Sequence, residues 1–249
     1  MTDILTTFAP ITLEQMSGVK LMNRTDTKFV TNKEKLRQLL LLAQQDYYVQ
    51  EIDGKRNMEY DTTYFDTSQF DMYNQHQWGH TNRQKIRFRT YCINGLQFME
   101  VKTKNNHGRT KKKRIEVGDM NLKDDEKRLF LGKHLHYGVD TLQPALNNHF
   151  SRITLVNKGK TERLTIDSAL RFHNMQNDKE LDMGPLVIIE LKRDGLVYSP
   201  VLEMLRLLHI QPHGFSKYCM GSALTGSSLL PVNRFKRKLI EVGKLVNQQ

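Results

Sequence analysis

The chain is short of the residues that would tie it to several common designs. Its 249 residues include two cysteines, Cys92 and Cys219, too few for a disulfide framework and without metal-ligand spacing, so both are read as free thiols. Cys219 has basic neighbours in the sequence, but no catalytic role is assigned to it. Six prolines, no fixed-period repeat and no low-complexity tract leave nothing that marks a linker. The expected unit is one continuous domain over residues 1–249, ending in a basic tail over 232–249.

No window approaches the roughly 20 apolar residues that a membrane span needs. The N-terminus has no basic run followed by an apolar stretch and a small-residue cleavage site. The expectation is a cytoplasmic protein, with any contact at the inner face of a membrane made through a membrane-protein partner. The nine histidines are scattered and show no metal-ligand pair, so none is assigned to a site.

Acidic residues are also scarce: 27 Asp and Glu stand against 38 Lys and Arg, a formal charge of +11. Such a balance points to an anionic partner, whether nucleic acid, a membrane surface or a phosphate-rich small molecule. The aromatic platforms interleaved with basic residues that single-strand binders use are missing, so no nucleic acid is expected. The tail cations Arg234, Lys236, Arg237 and Lys238 read as a solvated helix face.

What the chain does have is short runs of period-2 alternation, rich in β-branched and aromatic residues, which predict about eight strands. They cover 28–30, 58–65, 85–91, 96–104, 111–117, 152–156, 162–167 and 186–192. Asn94-Gly95 predicts a two-residue hairpin turn between the third and fourth. Thr31 and Glu34 form a capping box ahead of a helix with Leu36, Leu39 and Leu40 on its apolar face. Helices are also expected over 124–135, over 141–150 and from Ser199-Pro200 onward, with Val201, Leu202, Leu205 and Leu208 as the last one's stripe. Asp66 is expected to cap a turn.

Residues two apart on a strand share a face. Lys85, Arg87, Arg89 and Tyr91 therefore line one side and Ile86, Phe88 and Thr90 the other. The same design recurs in Glu100, Lys102 and Lys104, in Lys112, Arg114 and Glu116, in Arg163, Thr165 and Asp167, and in Glu190 with Lys192. For one strand this would be a solvent face. Repeated five times, and dominated by cations, it fits a sheet closed into a barrel with the charged face inward. Facing cations are costly unless an anion neutralises them, so the lumen should hold a polyanion.

In order and spacing these residues resemble the VTC domain, the catalytic domain of eukaryotic vacuolar polyphosphate polymerases, among the triphosphate tunnel metalloenzymes. The pieces are Arg24-x-Asp26-x-Lys28, Tyr64-Phe65-Asp66-Thr67, Arg87-x-Arg89-x-Tyr91, Glu100-x-Lys102-x-Lys104, Arg163-x-Thr165-x-Asp167, Glu190-x-Lys192 and Ser216-Lys217-Tyr218. The resemblance implies an α+β fold with an antiparallel closed β-barrel as a basic tunnel and helices packed outside. It implies catalytic phosphate ligands at Lys28, Arg87, Arg89, Lys102, Arg152, Arg163 and Lys217. Further substrate contacts are implied at Arg24, Lys104, Lys112, Arg114, Lys192 and Ser216. Glu190, with Glu100, is implied to hold Mn²⁺ or Mg²⁺, hard ions suited to oxygen ligands and phosphates.

The implied activity is transfer of the γ-phosphoryl of ATP, or of another nucleoside triphosphate, to pyrophosphate or a growing inorganic polyphosphate chain. Tunnel phosphatases and cyclases carry Glu-x-Glu-x-Lys near the N-terminus, where this chain has Arg24-Thr25-Asp26-Thr27-Lys28. Arg in place of a carboxylate favours phosphate over a second metal, and so polymerase over hydrolase. No inositol-polyphosphate-sensing segment or membrane helix is visible, so a stand-alone catalytic module is expected. The rival readings are a tripolyphosphatase or nucleoside triphosphatase on the same tunnel, a polyphosphate- or nucleic-acid-binding module without catalysis, and an inactive tunnel subunit.

Overall fold

All eight alternating runs form strands in the computed structural model, which describes residues 2–17, 24–195, 197–226 and 230–246. The first half runs α1 (Thr2–Thr6), β1 (Ala9–Ile11), α2 (Leu13–Ser17), β2 (Arg24–Asn32), α3 (Lys33–Ala43), β3 (Tyr47–Gln50), β4 (Met58–Thr67), α4 (Asp71–Gln77), β5 (Arg83–Tyr91), β6 (Gln97–Lys104) and β7 (Thr110–Val117). The second runs α5 (Asp125–His134), β8 (Leu142–Asn157), β9 (Glu162–Asn174), β10 (Glu180–Asp182), β11 (Leu186–Asp194), α6 (Pro200–Leu207), α7 (Lys217–Thr225) and α8 (Lys236–Val246).

One sheet organises them, in the order β2-β11-β9-β8-β4-β5-β6-β7, with antiparallel neighbours throughout. It curls strongly. Lys28 on β2 and Lys85 on β5 reach consecutive residues, the Phe215 carbonyl at 2.9 Å and the Ser216 hydroxyl at 2.7 Å, although four strands separate them in the sheet.

The curl stops short of closure, so the expected closed barrel is corrected to an open trough. No pairing joins β7 to β2 among the described residues. The outer edge of β2 is covered instead by the segment before α7: Phe29 bridges Pro212, and the His213 amide donates to the Lys28 carbonyl at 2.7 Å. On the other side, Lys111, Lys112, Lys113 and Arg114 leave β7 an exposed, like-charged edge, a pattern that discourages strand pairing. Alternation reports which residues share a face, not whether two edges meet.

Three other expectations change. Residues 142–157 are one long strand, not a helix over 141–150. Leu142, Ala145, Leu146 and Phe150 mimic helical spacing, but pairing with β4 and β9 decides, and the register shift beside the Phe65/Pro144 pair accommodates the proline. The cap of α3 is Asn32, which accepts from the Lys35 amide at 2.9 Å, rather than Thr31. The β5–β6 turn is longer than two residues: the Tyr91 amide donates to the Leu96 carbonyl at 2.8 Å and Gly95 takes φ +71°.

The apolar alternates pack outward. Phe29, Ile153, Leu155, Leu164, Ile166 and Ile189 meet α3 and α6, with Val201 and Leu205 buried as expected. Ile86, Phe88, Met99 and Val101 meet Phe130 and Leu131 of α5. Two helices pack against the inner face: Tyr218 and Met220 of α7 lie in one cluster with Tyr60, Tyr64, Leu146 and Phe150, and Val242 of α8 joins that cluster with Val30 and Ile188. Asp66 does cap: it accepts from the amides of Thr67, Met72 and Tyr73 and from the Tyr218 hydroxyl, tying α4 to α7.

Candidate functional site: a cation-lined trough

The register converts alternation into neighbours. Arg87 stands opposite Glu100 and Glu100 opposite Arg114, while Lys85 stands opposite Lys102 and Lys102 opposite Lys112. Across the trough Lys28 pairs with Glu190, Lys192 with Arg163, and Arg152 with Asp167.

Three carboxylates organise this face. Glu100, 1% exposed, accepts from Arg87 Nε at 2.7 Å and from Lys112 Nζ at 2.8 Å. Burial pushes its carboxyl up, but Arg87, Arg89 and Lys112 outweigh burial and hold it at about 2. Asp167 takes a two-pronged contact from Arg152, at 2.6 and 2.8 Å, and also binds Lys217. Against burial, Arg152 and Lys217 keep its carboxyl far below the usual range. Glu190 meets Lys192 at 3.0 Å through Oε2, while Lys28 stands 4.0 Å from Oε1. Burial again opposes and those two lysines prevail, so Glu190 is ionised.

The remaining cations are less well matched. Arg89, 6% exposed, donates to the Thr62 hydroxyl at 3.1 Å and lies over the rings of Tyr60 and Phe150. Burial and then Arg87 and Arg152 bring it down to about 10. Lys102 reaches solvent in the mouth of the trough, yet the surrounding protein and Lys28 lower it to about 8 against the pull of Glu190. Burial lowers Lys217 to about 7 despite Asp167, and its ammonium sits 3.7 Å from the centre of the Phe150 ring.

The trough thus gathers Lys28, Arg87, Arg89, Lys102, Arg152, Lys192, Lys217, Ser216, Glu190 and Glu100 from the sequence-derived set. Arg163 lies within the field of Lys192. Arg114 is exposed, its guanidinium 4.5 Å from the centre of the Phe98 ring. Lys112 turns to Glu100, and Lys104 lies at the end of β6 nearest His76. The Arg24 side chain lies outside the described residues. Sequence reasoning passed over Lys85 and Asp167, although alternation had already placed both on the charged face. Lys85 is caught between Ser216 and Cys219, the latter at 3.5 Å.

Among the described residues no three His, Cys, Asp or Glu side chains converge as a metal cage. The donor set still fits a hard cation completed by phosphate oxygens: among the described residues one Glu190 oxygen has no hydrogen bond, whereas both Glu100 oxygens are occupied.

A curled antiparallel sheet whose inner face carries this excess of cations defines an anion-binding domain of the triphosphate tunnel type. The VTC domain model matches residues 23–225, and the chain belongs to that family. Among solved structures, a candidate adenylyl cyclase from Hippeastrum, reported to have a dominant triphosphatase activity, shares the fold at 13% identity and TM-score 0.50, over 85% of this chain and 99% of that one. Candidate adenylate cyclases from Bacillus halodurans and Vibrio parahaemolyticus align at 15% and 11% identity, with TM-scores of 0.47 and 0.46, over 78% and 80% of this chain and 96% and 97% of theirs. No curated protein matches the chain. Among the described residues no helix is long and apolar enough to cross a membrane.

Proposed function

We propose that the protein is a metal-dependent polyphosphate polymerase, moving the γ-phosphoryl of ATP or another nucleoside triphosphate onto inorganic pyrophosphate or polyphosphate. The observation that carries the reading is the set Lys28, Lys85, Arg89 and Lys102, which face one trough from three strands with no carboxylate in hydrogen-bond contact among the described residues. Repulsion and burial hold three of them below their ordinary proton affinity. A triphosphate would relieve both costs together.

Phosphoryl transfer asks for position and charge stabilisation more than covalent chemistry. Arg87 and Arg152, oriented by Glu100 and Asp167, present fixed guanidinium forks suited to two oxygens each. Lys28, Lys102 and Lys217 supply point charges around the γ-phosphoryl as its bond to the β-phosphate oxygen breaks and a bond to an acceptor phosphate oxygen forms, releasing the nucleoside diphosphate. Arg163, Lys192, Lys104, Lys112, Arg114 and Ser216 extend the field toward the rest of the phosphate chain. Glu190 would hold Mn²⁺ or Mg²⁺, which supplies Lewis-acid withdrawal of charge from the phosphate oxygens.

The open side of the sheet favours a second reading, because water can enter where β7 and β2 fail to meet. A water acceptor in place of phosphate makes the same site a triphosphatase. Purified protein given ATP, Mn²⁺ or Mg²⁺ and pyrophosphate should yield long phosphate chains on a gel, and Glu190→Gln should not. Free phosphate without chains would assign the triphosphatase; absence of turnover would reject both.

A further inference from the structure

Beside the trough lies a second, smaller set of cavities to which none of the residues above is assigned a role in catalysis apart from those on the shared wall. One, of about 160 Å³, is bounded by Lys28 and Ser216 on the trough side and by His76, Phe235 and Lys238 on the other. The last three also line a cavity of about 410 Å³, together with Gly79, Arg83 and Arg234. The two share His76, Phe235 and Lys238, and the smaller also shares Lys28 and Ser216 with the trough.

Among the described residues no carboxylate lines the larger cavity. Arg83 donates to the His80 carbonyl at 2.5 Å and stands 3.4 Å from His76 Nε2, neither of which neutralises it. Glu241, the carboxylate nearest on α8, is occupied by His213 at 3.0 Å and Arg237 at 2.9 Å. His76 adds no charge of its own, since burial and then Lys85, Arg83 and Lys238 lower it to about 2.

Arg83 and Lys238 are half-buried where they line it, while Arg234 is exposed. The Arg234 guanidinium lies against Gly79, and Lys238 Nζ lies close to Gly214. Phe235 between them is 4% exposed and anchors the segment. The tail therefore divides. Lys236 and Arg237 form the expected solvated face, the latter with 91% of its side chain exposed, while the half-buried Lys238 and the exposed Arg234 line the cavity. Both lie beyond residues 23–225, so the family pattern does not account for them.

We propose that this cavity is a second anion site, which takes a phosphate segment of the same inorganic polyphosphate chain whose end occupies the trough. Its lining offers cations and little exposed aromatic surface, which suits phosphate over a nucleobase. The proposal rests on the reading that the trough holds a triphosphate unit. It adds that ligands longer than the trough gain affinity from Arg83, Arg234 and Lys238.

Calorimetric titration of the full chain with tripolyphosphate and with long-chain polyphosphate tests it. Wild type should bind the long chain more tightly, and R234Q/K238Q should lose about tenfold for the long chain with tripolyphosphate unchanged. R83Q gives the same readout from β5 should the double variant fail to fold. Equal loss for both ligands, or no loss for the long one, overturns the proposal. If tripolyphosphate fails to bind any protein while long-chain binding still depends on these three residues, the second site stands and the trough reading falls.

Discussion

Arg87 Nε lies 2.7 Å from Glu100, and the other oxygen of that carboxylate lies 2.8 Å from Lys112 Nζ, so one buried acid fixes cations from two neighbouring strands. With both oxygens engaged, Glu100 is expected to position these cations, and Glu190 to hold the metal. Glu100→Gln leaves Arg87 without its counter-charge and should cost about 3 kcal/mol, seen as a lower urea midpoint at unchanged slope. The metal concentration for half-maximal turnover should stay as in wild type. A rise there would return Glu100 to the metal site.

The same carboxylate sets an acid limit. Its folded value of about 2 lies below the roughly 4.3 of an unfolded glutamate, so its stabilisation is complete above that higher value and is lost as pH falls toward 2. Asp167, depressed still further, acts in the same direction. Thermal melts from pH 5 to pH 2.5 should show a shallower decline in Glu100→Gln than in wild type. Parallel declines would mean that the ion pairs contribute nothing.

Much of this site was legible because strand alternation survives folding: Arg87, Arg89, Glu100, Lys102, Glu190 and Lys192 share the inner face that their spacing assigns. Closure was not legible, since it depends on two edges and on Pro212 and His213 covering one of them. Residues 142–157 misled for a related reason. Apolar spacing fits a helix there, and only partners distant in sequence make it a strand. Arg234 and Lys238 carry no local sign of which cations face solvent and which face a cavity.

Glu190 and Glu100 should separate in metal dependence. Among the described residues, the ion-pair partner of Glu190 Oε1 is Lys28 at 4.0 Å. Glu190→Gln should raise the Mn²⁺ concentration for half-maximal turnover by at least about tenfold, while leaving metal-free tripolyphosphate binding intact or tighter, because a negative charge leaves the trough. Weaker metal-free binding would make Glu190 a support for Lys28 and Lys192.

Lys102 links anion binding to pH. Its value of about 8 reflects desolvation by the surrounding protein and then Lys28, and a bound triphosphate restores its proton affinity. Binding should therefore take up a proton, and affinity for tripolyphosphate should fall as pH rises through about 8. Titration in buffers of different ionisation enthalpy reads the uptake directly. In Lys102→Gln both the uptake and this part of the pH dependence should disappear; an unchanged profile would assign the titration to another group.

Lys85 separates stability from binding. Its ammonium donates to the Ser216 hydroxyl at 2.7 Å and touches Cys219, with no carboxylate partner among the described residues, so burial lowers its proton affinity. A part-buried cation held this way works against folding while presenting charge to the trough. Lys85→Met keeps the unbranched stem, one atom shorter, and removes the charge. It should raise stability by about 1 kcal/mol and weaken tripolyphosphate binding by roughly tenfold or more, measured by thermal melting and calorimetry on one preparation. Loss of both would make Lys85 a structural strut for the start of α7. Gain of stability with binding intact would place the triphosphate nearer Arg87 and Arg152, away from the β5 end where Lys85 lies.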